Sequence, residues 1–312
     1  MAKIICGVDV SSETLDACIG SDGPHVQVSR DGEGVNTLAL FCRQHAVSLV
    51  VMEASGGYEQ LVFALLWKKK VPCAIVNARA VRWFAESMGK LEKTDRIDAG
   101  MIAEYAATKR IVAQKPATET QKRLSALVTR LRQLTALKVA QMNQRRLISE
   151  AAVLASIDAV VALLRSQIRQ FERQIGELLT ADPLWRSLDV VFRSIKGVAD
   201  RTVAALMAEL PEIGTLSNKA AAKLVGLAPI ANDSGSIRRK RKVRGGRAGL
   251  RSTLYIVAEV VRRHNPDFAA FHKKLNAAGK PKMVVRIALA RKLLVRLNAK
   301  ARDARRQREL AA

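Results

Sequence analysis

Aromatic residues make up only 4% of the 312-residue chain, and that scarcity excludes a surface that grips single strands by stacking many bases on rings. Acidic residues are also few: 28 Asp and Glu stand against 53 Lys and Arg, a net charge of +25. So large a field exceeds what solubility requires and attracts a polyanion, nucleic acid first among them. Backbone contacts to a duplex or a structured nucleic acid are the expected mode; ribosome association and a membrane surface are the competing readings. No run approaches the roughly eighteen uncharged apolar residues that a membrane span needs, and the first residues lead straight into an apolar strand rather than a signal peptide. A cytoplasmic, nucleoid-associated protein without a membrane partner is expected. Cysteine is limited to Cys6, Cys18, Cys42 and Cys73, all in the first quarter and without CxxC spacing. Buried free thiols are expected in preference to a zinc site.

The apolar pattern that is present divides the chain into three. Residues 3–10, 15–19 and 25–28 read as a meander of strands, followed by a helix over 35–45 and a buried strand over 48–52 that ends at Glu53. The Gly56-Gly57 turn opens a helix ending near Lys70, and a strand follows over 73–76. Strands first antiparallel and then alternating with helices describe an α/β domain over residues 1–112. Residues 113–182 become helical, and Ile157, Val161, Leu164, Ile168, Phe171, Ile175 and Leu178 alternate steps of four and three, the spacing of a coiled-coil seam. Such a seam pairs either with the preceding helix, through a turn at 151–156, or with another chain. Residues 183–312 begin at Asp182-Pro183 and continue as short helices, mainly α. Within them residues 195–210 resemble a helix-hairpin-helix, whose glycine turn lets backbone N–H groups reach a phosphate, although Ala199 stands where a second glycine is usual.

Four acids form a candidate constellation. Asp9 and Glu53 each end an apolar strand, while Asp95 and Asp98 lie three apart at a helix start with Thr94 as N-cap, hence on one helix face. Taken singly, each has a structural explanation as a turn, a cap or a partner of the helix dipole. Together, in so basic a protein, they would repel one another unless cations held them, and hard oxygen ligands point to Mg2+ or Mn2+. A two-metal site is one way proteins activate water or a hydroxyl against a phosphodiester.

A second candidate region runs from Leu227 to Arg251. Its Arg238, Arg239, Lys240, Arg241, Lys242, Arg244, Arg247 and Arg251 are the expected phosphate-binding residues. Ser234 sits in Asn-Asp-Ser-Gly, where glycine permits close backbone approach and neighbouring cations favour attack on a phosphate. Ser236 meets the same arguments, as does a turn-capping role for either serine.

Gly7-Val-Asp-Val-Ser, Met52-Glu-Ala-Ser-Gly-Gly-Tyr, Lys93-Thr-Asp-Arg-Ile-Asp-Ala, Gly226-Leu-Ala-Pro, Asp233-Ser-Gly, Gly245-Gly-Arg and Ala278-Gly-Lys-Pro-Lys occur in that order. Together they resemble the DEDD transposases of bacterial insertion sequences, the group that includes the Piv invertases. The resemblance implies a RuvC-like (ribonuclease-H-like) first domain with Asp9, Glu53, Asp95 and Asp98 as its catalytic metal-binding acids. It also implies a serine nucleophile at Ser234 rather than Ser236. A further implication is a noncoding RNA, encoded by the element, that pairs with donor and target DNA. The expected function is therefore excision and insertion of a mobile element by Mg-dependent strand exchange on double-stranded DNA, in a homo-oligomer, dimer or tetramer. The alternatives are a RuvC-like endonuclease that cuts branched DNA without a covalent intermediate, and a non-enzymatic nucleic-acid scaffold. A sugar-kinase reading of Gly7-Val-Asp-Val-Ser lacks the second glycine-rich phosphate loop it needs.

Overall fold

The computed structural model describes residues 3–90, 92 and 94–311, and its chain divides into two compact units, one through Ala117 and one from Thr118 onward. The first unit is built on a five-stranded sheet. Strands β1 (Ile5–Val10), β2 (Thr14–Ile19) and β3 (His25–Ser29) form the antiparallel meander; β4 (Leu49–Glu53) and β5 (Cys73–Val76) add in parallel, giving the order β3-β2-β1-β4-β5. Parallel neighbours need crossovers, and helices α1 (Gly32–Gln44) and α2 (Glu59–Lys68) supply them. Helices α3 (Ala78–Ser87) and α4 (Asp95–Thr108) complete the unit, α3 at a place where the sequence pattern gave no helix.

Alternation along β1 sorts its residues between two cores. Cys6, Val8 and Val10 join Val35, Leu38, Val62 and Leu66 on one face, whereas Ile5 joins Leu49, Val51, Ile102 and Ala106 on the other. On the second face Gly7 decides how close α4 comes: a Cβ there would collide with the Ala99 carbonyl and the Ala103 amide. All four cysteines are buried and free, as expected, and burial pushes the Cys73 thiol up to about 12.

The second unit is helical. Helices α5 (Glu119–Arg145) and α6 (Ala151–Ala181) form a hairpin, followed by α7 (Pro183–Arg193), α8 (Asp200–Glu209), α9 (Asn218–Val225), α10 (Ala248–His264), α11 (Pro266–Ala277) and α12 (Lys282–Ala311). The heptad seam of α6 faces its own chain: Val161, Leu164, Ile168 and Ile175 are buried, and Leu164, Ile168 and Ile175 share a core with Leu124, Val128, Leu131 and Leu134 of α5. The hairpin turn falls at 146–150, so residues 151–156 are helix rather than the expected turn; Glu150 caps α6 by accepting from the Val153 amide at 2.8 Å. Helix α6 is long and apolar enough by composition to cross a membrane, with a mean hydropathy of 1.6 over eighteen residues. Its Asp158, however, is held by Arg145 of α5 at 2.6 and 2.9 Å.

Instead of only short helices, the last third ends in a 30-residue one. Val285, Leu289, Leu293, Leu297, Ala301 and Ala304 recur at steps of three and four and bury one stripe of α12. Asn298, fully buried on that stripe, accepts from the Gly214 amide at 2.9 Å and donates to the Leu216 carbonyl at 3.0 Å and to Asn218 at 2.9 Å. It thereby satisfies backbone groups that burial would otherwise leave unpaired.

Candidate functional sites

In the first unit β1 and β4 run parallel with Val8 opposite Met52, so the next residues along, Asp9 and Glu53, stand side by side where the two strands end. Both are half-buried. Thr94 caps α4 as expected, its hydroxyl accepting from the Ile97 amide at 3.3 Å, which places Asp95 and Asp98 in the first helical turn. Lys93, at the head of that motif, lies outside the described residues. The close approach over Gly7 seats α4 on β1, and the consequence is electrostatic. Burial raises the Asp9 carboxyl above the usual carboxylate range, and repulsion from Asp98 and then Asp95 raises it further.

Asp16 is a fifth acid, which the sequence reading passed over. It lies directly across from Asp9 in the β1–β2 register, is buried, and accepts from Gln27 through both oxygens at 3.1 Å. Its position inside an otherwise apolar strand was the available signal. The donor set is thus all oxygen and all anionic, which fits a hard divalent cation. Among the described residues, no three of these side chains are placed to coordinate one ion as they stand.

The loop after Glu53 is fixed by a residue the sequence did not single out. Gly56 and Gly57 take φ of +75° and +113°, and the Glu59 carboxylate closes the turn by accepting from the Ser55 amide at 3.1 Å and the Gly57 amide at 2.9 Å. Burial works against the Glu59 charge, yet hydrogen bonds from Gln60 and from the Gly57 and Ser55 amides hold its carboxyl below the usual range. Arg30 lies over the ring of the exposed Tyr58 at 4.9 Å, adding a cation and an aromatic face to the same loop.

In the second unit the serine segment is a basic ribbon. Ile230 pairs with Lys242, and Ser234 with Ile237, around a tight turn that contains Gly235 at φ +55°. Ser234 and Ser236 are both exposed at its tip, and among the described residues neither hydroxyl makes a hydrogen bond. Arg238, Arg239, Lys240, Arg241, Lys242 and Arg244 are exposed along the ribbon, and among the described residues none of their side chains is paired with a carboxylate, although the Arg239 amide donates to Asp233 at 3.1 Å. Arg239, Lys240, Lys242 and Arg244 line a cleft of about 400 Å³ with Asn232. Two of the expected phosphate ligands are engaged within the unit instead. Arg247 binds Glu212, and Arg251 donates to the Gly245 carbonyl.

The helix-hairpin-helix glycine also serves packing. A Cβ added at Gly197, whose φ is +104°, would lie 3.1 Å from the Val261 backbone of α10, and Asp200 puts an acid paired with Arg193 in the first turn of α8. Neither feature favours a phosphate there.

Family models for known proteins span both regions. A model for DEDD transposases of the IS110 type, described as "Transposase", matches residues 6–149, and one described as "Transposase IS116/IS110/IS902 family" matches residues 190–273. The pilin gene-inverting proteins of Moraxella bovis and Moraxella lacunata are each 28% identical over 314 residues, covering 94% of this chain and 94% of theirs. DEDD transposases generally use divalent metal ions. With the acids on one unit and the serine ribbon on the other, each inside a matched region, the chain belongs to the IS110 family of transposases and is a DNA recombinase.

Proposed function

We propose that the chain excises and inserts, or inverts, double-stranded DNA by metal-dependent strand exchange with Ser234 as nucleophile. The observation that carries the metal centre is geometric: the β1–β4 register sets Asp9 beside Glu53, and the close approach over Gly7 seats α4, with Asp95 and Asp98 in its first turn, on the same strand in a protein of net charge +25. In this reading Asp9, Glu53, Asp95 and Asp98 hold Mg2+ or Mn2+, which supplies charge neutralisation at a phosphate. The meander followed by two parallel strands supports a ribonuclease-H-like first unit of the RuvC type.

Ser234 Oγ gives up its proton as it forms a bond to phosphorus, and the strand oxygen that leaves takes a proton. Attack by the hydroxyl of a second strand on the phosphoserine then restores the serine. Each step exchanges one phosphodiester for another, so no high-energy cofactor is consumed. The ribbon cations hold backbone phosphates, which supplies affinity without sequence information. Sequence choice is accordingly assigned to an element-encoded guide RNA that pairs with donor and target. Several protomers are needed to join four DNA ends, and the work is cytoplasmic, on the nucleoid.

The test is to express the gene with its native flanking DNA in bacteria and sequence the recombinant junctions for wild type, Ser234→Ala, Ser236→Ala and Asp9→Asn. Junctions are expected in wild type and Ser236→Ala alone. Junctions persisting in Ser234→Ala would move the chemistry to the carboxylates and overturn the serine as nucleophile.

A further inference from the structure

Beside the basic ribbon lies a cavity of about 660 Å³ that the reaction above does not use. Its wall is apolar: Phe271 of α11 with Ile287, Ala288 and Val295 of α12. Its rim is cationic, with Arg241 and Lys242 from the ribbon and Arg291 from α12. Among the described residues, none of these three is paired with a carboxylate. Lys292 fixes the wall, donating to the Asp267 carbonyl at 2.9 Å with its ammonium 4.6 Å from the centre of the Phe271 ring.

The volume falls within the range of about 300–1,000 Å³ typical of small-ligand pockets. An apolar slot with one aromatic wall suits a flat, uncharged group, whereas the unpaired guanidinium and ammonium groups at its mouth suit an attached anion. An apolar peptide would leave those cations unmatched, and a bare phosphate would leave the apolar wall exposed. Lys242 links this cavity to the cationic cleft, since it lines both. A strand whose phosphates follow the ribbon therefore passes the mouth.

We propose that this cavity takes one unpaired base of the bound DNA, stacked against Phe271 with its phosphate held by Arg241, Lys242 and Arg291. The inference rests on the reading of the ribbon as a phosphate-binding surface. A base out of its stack would mark a fixed point on the strand and set the register in which DNA is presented.

The full chain would be titrated with a DNA duplex carrying one unpaired 2-aminopurine, with the same duplex carrying an abasic residue there, and with the fully paired duplex. The unpaired base is expected to bind about tenfold tighter than the abasic site, with a rise in 2-aminopurine emission on binding. Ala288→Phe, which fills the slot and leaves the cations in place, should erase that difference and the emission change while fully paired duplex binds as before. Equal affinity of wild type for base and abasic site, without an emission change, overturns the pocket whatever the variant does. The ribbon reading fails separately, if Arg239→Ala with Lys240→Ala leaves duplex affinity and its salt dependence unchanged.

Discussion

Arg247 grips Glu212 through two parallel hydrogen bonds of 2.8 Å, from Nη1 to Oε2 and from Nη2 to Oε1. The pair ties the residue before α10 to the loop after α8, so an arginine that composition assigns to nucleic acid holds the scaffold of the ribbon instead. The Arg247 guanidinium lowers the Glu212 carboxyl below the usual range, against an opposing effect of burial. A depressed folded pKa gives stability that is fully present above the unfolded value near 4.3 and lost as pH falls through the folded one. Both side chains are about one-third exposed, so solvent screening limits the pair. Glu212→Gln should cost about 1 kcal/mol at pH 7 in urea unfolding, and the difference from wild type should vanish in acid.

Asp9→Asn should stabilise the metal-free protein. A carboxyl whose folded pKa lies above the unfolded value near 3.9 favours folding below that value, and the benefit is lost as pH rises through the folded pKa. Burial first, and then repulsion from Asp98 and Asp95, disfavour the Asp9 carboxylate, and the neutral variant escapes both, so without metal the variant should melt higher, by a margin that grows as pH rises. Added Mg2+ should raise the wild-type Tm and leave the variant's nearly unmoved; thermal melts with EDTA and with Mg2+ measure both.

Gly7→Ala tests the seating of α4. Its methyl meets backbone rather than a mobile side chain, so relief requires the helix to shift. A loss of about 1–3 kcal/mol is expected, with recombination falling further than stability because Asp95 and Asp98 move with α4. A variant with wild-type stability in chemical denaturation would show that the close approach is not needed.

Asn298→Ala removes the acceptor of the Gly214 amide and a donor to the Leu216 carbonyl in a buried setting. About 1–3 kcal/mol should be lost, measured as an earlier unfolding transition. Asn298→Asp keeps the acceptor and loses the donor, so it should not restore stability.

Charge at the α6 seam should unfold rather than dissociate. Ile168 is 4% exposed inside the chain's own hairpin, whereas Leu163 is 62% exposed on the same helix. Ile168→Glu should lower helicity in circular dichroism. Leu163→Glu should keep it, and if protomers meet along that face sedimentation will report smaller particles.

Local chemistry made much of this legible. The β-branched apolar run over β1, the β-branched β4 ending at Glu53, and Thr94 ahead of Asp95 are written within a few residues each, and their elements form where the sequence puts them. The same locality explains the misses. Helix α3 is ten residues long with Trp83 exposed, and α12 runs past an arginine-rich surface that disguises its buried stripe. Heptad spacing fixed that α6 has a seam, but a seam of Leu and Ile is equally satisfied by the same chain or another.

By itself, then, the sequence determined the charge, the strand-end acids and the serine–glycine turn, because each depends on composition or on neighbours along the chain. Only the tertiary structure decided which partner the α6 seam takes, that Asp16 faces Asp9, and that Arg247 and Arg251 serve the scaffold while the ribbon's other cations stay open. Those outcomes depend on groups distant in sequence competing for the same buried space or the same charge, and that competition is settled only when the elements pack.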